Sequence, residues 1–453
     1  MKIVVIGCGK IGTAVIKSLL DEGHDIVAMD DNAAVVEEVT NIYDVFAFCG
    51  SGTDCDALIE AGVAEADVVM AFTGSDEFNM LSCFLSQSLG AAYTVARIRN
   101  PEYHSKRLDF IKQQLNISLI VNPELLVAKE LANVLKLPTA AGVETFSRGK
   151  FEMAEIVIKE DSPLNGMSLM ELKKKYPDNF LISAVSRGEE VFIPDGNFVL
   201  QSGDKIGITA NSSDIVKIFR TLKFETKKAR NIMIIGATTT SYYLSKLLMS
   251  SGNTVKIIDA DLERCKQFSE ILPEAVIING DAAHEEILRE EGIKEVDAFV
   301  SLTGMDEQNI LLSYFAKLEE VPKVVLKVKR TEFIRTAHNL GLDSIASARK
   351  TTADIIAGFV RALHNSIGSK VETLYKLMDG KAEALEFIAL PDCSILGIPL
   401  KNLTTKENTL VAGIIRGGKT IIPTGEDAIM ADDRVVVLTS GHTFDDLSEI
   451  VKR

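Results

Sequence analysis

The chain has 453 residues, 46% of them hydrophobic and 25% charged, with a net charge of −15; it is too long for one ordinary core and predicts three or four domains. The acidic balance argues against a nucleic-acid partner, which needs a basic footprint, and against direct adsorption to anionic lipid. No apolar run reaches the roughly 18 residues that span a bilayer, so no direct membrane insertion is expected.

The opening MKIVVIGCGKIG runs into a glycine turn rather than a cleavable leader. Lys2 to Ile6 reads as a buried parallel strand, and Gly7, Gly9 and Gly12 follow in G-x-G-x-x-G spacing before an amphipathic helix from Lys10 to Leu20. Gly7 permits the tight turn, Gly9 lets backbone N–H groups approach a pyrophosphate, and Gly12 lets helix and strand pack closely. The helix N-terminus adds partial positive charge. A second strand, Asp25 to Met29, ends at Asp30, whose carboxylate is placed to accept from a ribose 2′-hydroxyl and would repel a 2′-phosphate. The candidate loop residues are thus Gly7, Cys8, Gly9, Lys10, Ile11 and Gly12, with Asp30 and Asp31 at the next strand end.

Strand and helix go on alternating. Strand Val45 to Cys49 ends in Gly50-Ser51-Gly52-Thr53, strand Asp67 to Phe72 in Thr73-Gly74-Ser75-Asp76, and strand Tyr93 to Ile98 leads into Arg99-Asn100-Pro101. A sixth strand, Ile117 to Val121, precedes a helix opened by Pro123 and running through Lys136. Such alternation predicts a doubly wound parallel sheet of Rossmann type, with ligands outside the carboxyl ends of the strands. Asp30, Ser51, Gly52, Thr73, Gly74, Arg97 and Arg99 all fall at or near those ends.

Pro138 to Lys150 reads as a linker into a small α+β module without a phosphate loop. There Phe151 to Ile158 alternates as a half-exposed strand should, and a short helix (Ser168 to Lys175) and strands at 180–186 and 205–210 follow. Then the pattern restarts. Asn231 to Gly236 echoes Lys2 to Gly7, and Asp259 echoes Asp30, each 229 residues on; Thr303-Gly304 echoes Thr73-Gly74 at 230. Gly397 and Asp433 stand where Gly166 and Asp204 stood. The chain is a tandem duplication. Its expected units are 1–122 and 229–348 (Rossmann-type), crossover helix and linker at 123–140 and 349–369, and small α+β domains at 141–226 and 370–453. Where the first half has GCGKIG the second has GATTTS, so Gly236, Ala237, Thr238, Asp259, Asp281, Thr303 and Gly304 form a weaker second candidate site.

Catalytic signatures are missing. The six histidines share no metal or relay spacing, His24 reads as an exposed turn residue, and no metal site is expected. The six cysteines include no C-x-x-C pair and read as small buried hydrophobes in a reducing compartment. Each Rossmann-type half reads as a binding module without a catalytic acid or base; the alternative from another class is a nicotinamide-dependent oxidoreductase.

The tandem arrangement resembles the two-unit RCK (KTN) regulatory subunits of Trk-type potassium uptake systems. The residues that carry the resemblance are Gly7 to Gly12, Asp30, Thr73 to Met80, Ala96 to Tyr103 and Asn122 to Leu125. It implies a non-enzymatic, cytoplasmic protein peripheral on the inner face of the membrane. It further implies binding of NAD/NADH or ATP/ADP, docking beneath a separate Trk-type potassium-translocating membrane subunit, and self-association through crossover helices, as a tetramer. Family binding positions carry over to Gly7 to Ile11, Asp30, Thr73, Gly74 and Arg97, with Ser51 near a second ribose or the adenine. In the second crossover helix Ile355, Ile356, Phe359, Val360 and Leu363 form an apolar stripe that needs a partner.

Overall fold

The computed structural model describes residues 1–103, 106–137, 139–224, 229–365, 371–442, 444 and 446–452. Pro138, read above as part of a linker, lies outside the described residues, as does most of the second linker.

The first half builds strands β1 (Lys2–Ile6), β2 (Asp25–Asp30), β3 (Phe46–Cys49), β4 (Val68–Ala71), β5 (Tyr93–Arg97) and β6 (Leu119–Val121). Helices α1 (Lys10–Leu20), α2 (Ala33–Ile42), α3 (Cys55–Glu60), α4 (Asp76–Ser88) and α5 (Lys106–Gln114) connect them, and α6 (Pro123–Lys136) leaves the sheet. The strands pair in parallel in the order β3-β2-β1-β4-β5-β6, the doubly wound arrangement. β1 and β4 are covered on both faces, hence their near-continuous apolar runs. In register, Ile6 lies beside Met29 and Ala71, Asp30 beside Cys49, and Ala71 beside Ala96. That alignment brings Gly7, Asp30, Thr73 and Arg97 to one edge of the sheet.

A five-stranded antiparallel sheet follows, from β7 (Gly142–Phe146), β8 (Phe151–Val157), β9 (Phe180–Arg187), β10 (Glu190–Phe192) and β11 (Lys205–Asn211), in the order β10-β9-β11-β8-β7, with helices α7 (Leu169–Lys175) and α8 (Ile215–Thr221). β7 occupies the stretch read as linker: five residues with Gly at one end carry too little pattern to register as a strand, and pairing with β8 decides it. The second half repeats the plan. Its parallel sheet holds β12 (Asn231–Ile235), β13 (Thr254–Asp259), β14 (Val276–Asn279), β15 (Ala298–Ser301), β16 (Lys323–Lys327) and β17 (Ile345–Ala346), flanked by α9 (Thr239–Ser250), α10 (Leu262–Ile271), α11 (Glu285–Glu290), α12 (Asp306–Leu318) and α13 (Glu332–Asn339). After α14 (Ala348–Asn365) come β18 (Val371–Leu377), β19 (Ala382–Ile388), β20 (Thr409–Arg416), β21 (Lys419–Ile421) and β22 (Arg434–Thr439). The repeat extends to side chains: Arg187 clasps Asp204 with two bonds of 2.7 and 2.8 Å, and Arg416 clasps Asp433 with two of 2.9 and 2.7 Å.

The two halves exchange their departing helices. Val127, Ala128, Leu131 and Leu135 of α6 enter one core with Tyr243, Leu244 and Leu248 of α9. Ala353, Ile356, Ala357 and Val360 of α14 enter the core of the first sheet with Val15, Ile16 and Leu19 of α1, and Phe359 and Leu363 pack at its margin. Most of the α14 stripe therefore packs on the first domain, Ile356 and Val360 in its core and Phe359 and Leu363 at its margin, while Ile355 stays exposed. Arg361 adds a two-pronged ion pair to Glu22, one bond being 2.7 Å. The same helix covers His24, whose ring comes within 6.2 Å of His364. Burial and neighbouring positive charge push His24 down to about 4, so the residue read as an exposed turn histidine is a buried neutral one. α14 lies over that turn, a contact no local pattern contains.

The small sheets also meet face to face. Phe146, Phe151, Met153 and Ala184 share a core with Leu377, Met378, Ala384, Ala412 and Leu438. This corrects the half-exposed reading of Phe151 to Ile158: Met153 is fully buried and Glu155 nearly so, because the face that alternation assigned to solvent abuts the other half. The approach is close. A Cβ on Gly413 would lie 2.8 Å from the Phe151 ring, and one on Gly207 3.0 Å from Met378 Cε.

Between α6, α14 and β7 lies a cavity of about 550 Å³, lined by Glu130, Glu144, Glu155 and Asp354 together with Lys205 and Lys350. Glu144 stands exposed on its wall, and partial desolvation, reinforced by Glu130 and Glu155, raises its pKa.

Candidate functional site

The first glycine loop owes its shape to three separate constraints. Gly7 has φ +89°, and a Cβ there would lie 2.8 Å from the backbone N of Thr73. Gly12 sits so close to the turn that a Cβ would fall 2.0 Å from Gly7 O. Gly9, the N-cap of α1, faces open space, with nothing within 4 Å of a Cβ, and no side chain caps the helix there. The first-turn N–H groups of α1 are left for a ligand, the arrangement that holds phosphate.

Asp30 organises the loop from beneath. Its Oδ2 accepts from Cys8 N at 2.8 Å and its Oδ1 from Asn32 N at 3.0 Å. A carboxylate has about four acceptor sites, so two remain for a ribose. Cys8 and Ile11 point into the core, and burial beside Asp30 pushes the Cys8 thiol up to about 12, which makes it unreactive. Lys10 and Asp31 are exposed. Ser51 Oγ bonds Thr53 Oγ1 at 3.1 Å. Gly52 is there for packing: a Cβ would meet Ile6 Cγ2 at 2.5 Å.

Across the switch point, Thr73 N and Oγ1 both donate to Asn79 Oδ1, at 2.8 and 2.7 Å, and Asn79 Nδ2 donates to Arg97 O at 2.9 Å. Fully buried Asn79 thus fixes the ends of β4 and β5 relative to each other. It was not among the expected site residues, although its echo at Asn309, which brackets Thr303 and Lys327 O identically, was the available signal. Arg99 is committed to structure. Its N and Nε meet Asp76 at 2.8 and 3.5 Å, and its guanidinium donates to Gly74 O. Arg97 reaches Glu124 at 3.4 Å, with burial lowering its pKa. Gly7, Gly9, Gly12, Asp30, Thr73, Gly74 and Arg97 therefore converge, while Cys8, Ile11, Gly52 and Arg99 shape the site from behind.

The second site keeps the frame and changes the interior. Asp259 accepts from Ala237 N at 2.6 Å and Asp261 N at 2.8 Å, and Gly236 keeps φ +101°. Thr303 and Gly304 stand as Thr73 and Gly74 do, and Asp281 accepts from Ala283 N at 2.9 Å. Thr238, however, caps its own helix by accepting from Ser241 N at 3.3 Å, and Ser241 Oγ donates to Gly236 O. The hydroxyls satisfy groups that the first loop leaves open. Lys327, in place of Arg97, is half-buried; desolvation lowers its pKa to about 8, and it donates to Thr240 Oγ1 at 3.1 Å.

Two Rossmann-type lobes with antiparallel companions, joined by exchanged helices and carrying one open glycine loop, define a tandem RCK-type protein. The TrkA-N domain model matches residues 3–123 and 232–348, and the TrkA-C domain model matches 153–223 and 384–452. The chain belongs to the TrkA family. It is 30% identical over 453 residues, all of both chains, to the Trk system potassium uptake protein TrkA homolog of Archaeoglobus fulgidus. It is 29% identical over 443 residues to the Trk system potassium uptake protein TrkA of Vibrio alginolyticus, covering 96% of this chain and 95% of that one. The fold is similar to that of the GsuK RCK domain, with TM-score 0.65 and 17% identity over 97% of this chain and 92% of that one. It is likewise similar to the GsuK channel bound to NAD, with TM-score 0.65 and 18% identity over 97% and 77%. Among the described residues no helix is long and apolar enough to cross a membrane, and no group of three or more His, Cys, Asp or Glu could hold a metal ion.

Proposed function

We propose that the protein is a nucleotide-binding regulatory subunit that gates a Trk-type potassium-translocating membrane protein from its cytoplasmic face, without catalytic chemistry of its own. The observation that carries this reading is the first loop, where uncapped helix N–H groups open onto free space at Gly9 above Asp30. The names of the relatives and the NAD-bound and ADP-bound GsuK structures support an adenine nucleotide, NAD/NADH or ATP/ADP, as ligand. Gly7, Gly9, Lys10, Gly12, Asp30, Ser51, Thr73, Gly74 and Arg97 hold it. The phosphates lie on the loop and the ribose on Asp30. The second half, with its self-capped helix, is the weaker site.

Such a ligand gates only through unequal affinity for two arrangements of the assembly. The exchanged helices supply the coupling, since each nucleotide edge abuts a helix from the other half. Where copies of the chain assemble into a ring, exposed Ile355 is the part of the α14 stripe left open to a partner.

Gly9→Val tests the site cleanly. Its Cβ meets nothing in the protein, so folding should survive while the pyrophosphate position is blocked. Calorimetric affinity for ATP, ADP and NAD should fall by at least about a hundredfold, equivalent to some 3 kcal/mol. Unchanged affinity in the folded variant would remove the ligand from this loop. Turnover of NADH with carbonyl compounds would instead favour an oxidoreductase.

A further inference from the structure

α14 packs along α1 through Ala353, Ile356, Ala357 and Val360. The two helices run in the same direction: Arg361, near the end of α14, grips Glu22 just beyond the end of α1. Arg349 precedes Arg361 by twelve residues, and Lys10 precedes Glu22 by twelve. At 1.5 Å per residue both steps span about 18 Å, so Arg349 comes level with the first turn of α1, at the open glycine loop. Positions 349, 353, 356 and 360 share one helix face, so Arg349 heads the stripe that faces α1.

Its surroundings leave it uncommitted. Arg349 Nε is buried without a hydrogen bond, and among the described residues the side chain has no ion pair. Arg349 is half-buried, and a guanidinium whose Nε is shut off from water without a partner favours an anion at its open end. The corresponding position in the other half has the opposite sign. Asn122-Pro123-Glu124 aligns with Ser347-Ala348-Arg349 at the start of the exchanged helices. Glu124 acts on Lys327, which bonds Thr240 in the second loop.

We propose that Arg349 is a phosphate-binding residue supplied by the second half to the first half's site, where it meets the phosphates distal to the ribose of a nucleoside di- or triphosphate. The inference rests on the nucleotide reading of that loop and goes further by naming the residue that reads phosphate number. A guanidinium fork suits phosphate oxygens, and its engagement creates a bond between halves that exists only with ligand present. Glu124, which pairs with Arg97 at 3.4 Å and acts on Lys327, is a carboxylate where the second half has Arg349, so the starts of the two exchanged helices differ in charge.

Titration of the full chain with AMP, ADP and ATP tests this. Arg349→Gln should weaken ATP and ADP by roughly tenfold or more, the effect of a lost charged hydrogen bond, and leave AMP within about twofold. Arg349→Lys should recover part of the loss. Unchanged ATP and ADP affinity in Arg349→Gln, alongside lost binding in Gly9→Val, would overturn the role of Arg349 and leave the loop reading intact. Unchanged binding in Gly9→Val would overturn both. On the wild-type chain, where no question of folding arises, saturating ATP should protect Arg349 from phenylglyoxal and AMP should not. Equal labelling with and without ATP would sink the proposal.

Discussion

Ile356→Asp should destabilise the protein more than any surface change and uncouple its two halves. Ile356 is fully buried in the core that α14 shares with α1. Truncating such a side chain costs about 2–5 kcal/mol, and an unpaired buried carboxylate adds several more. The first domain would lose cover over Val15, Ile16 and Leu19, while α6 and the second sheet would keep theirs. Denaturation followed by circular dichroism should show a lower midpoint and two transitions in place of one. Phe359→Asp, at the margin of the same core, should have a smaller effect. An unchanged midpoint for Ile356→Asp would mean that the exchanged helix does not hold the halves together.

Gly12→Ala should abolish nucleotide binding and loosen the first domain together. Its Cβ would fall 2.0 Å from Gly7 O, and backbone, not a flexible side-chain tip, would have to move. Overpacking of this kind costs about 1–3 kcal/mol, and the displaced turn no longer presents its N–H groups together. Ser241→Gly at the matching position of the second half should change stability less, because it removes hydrogen bonds to Gly236 O and Thr238 rather than forcing a clash. Thermal midpoint and ATP affinity, measured on both variants, check the pair. A Gly12→Ala protein that binds normally would show that the loop tolerates what its geometry forbids.

The sequence by itself determined the parallel sheets, the duplication and most of the first site. Buried strands read as apolar runs, glycines stood where positive φ or close approach demands them, and strand ends named Asp30, Thr73 and Arg97. These signals are local or repeat at fixed spacing, so they survive in one dimension. The tertiary structure alone decided what covers what. It gave the α14 stripe a partner inside the chain, buried His24 and the outer face of β8, and made a strand of Gly142 to Phe146. It also spent Arg99 on Asp76 and Gly74, and it left Arg349 Nε without a partner among the described residues. The physical reason is that burial and charge pairing depend on which surfaces meet across hundreds of residues. Periodicity shows that a face must be covered, and only packing shows by what.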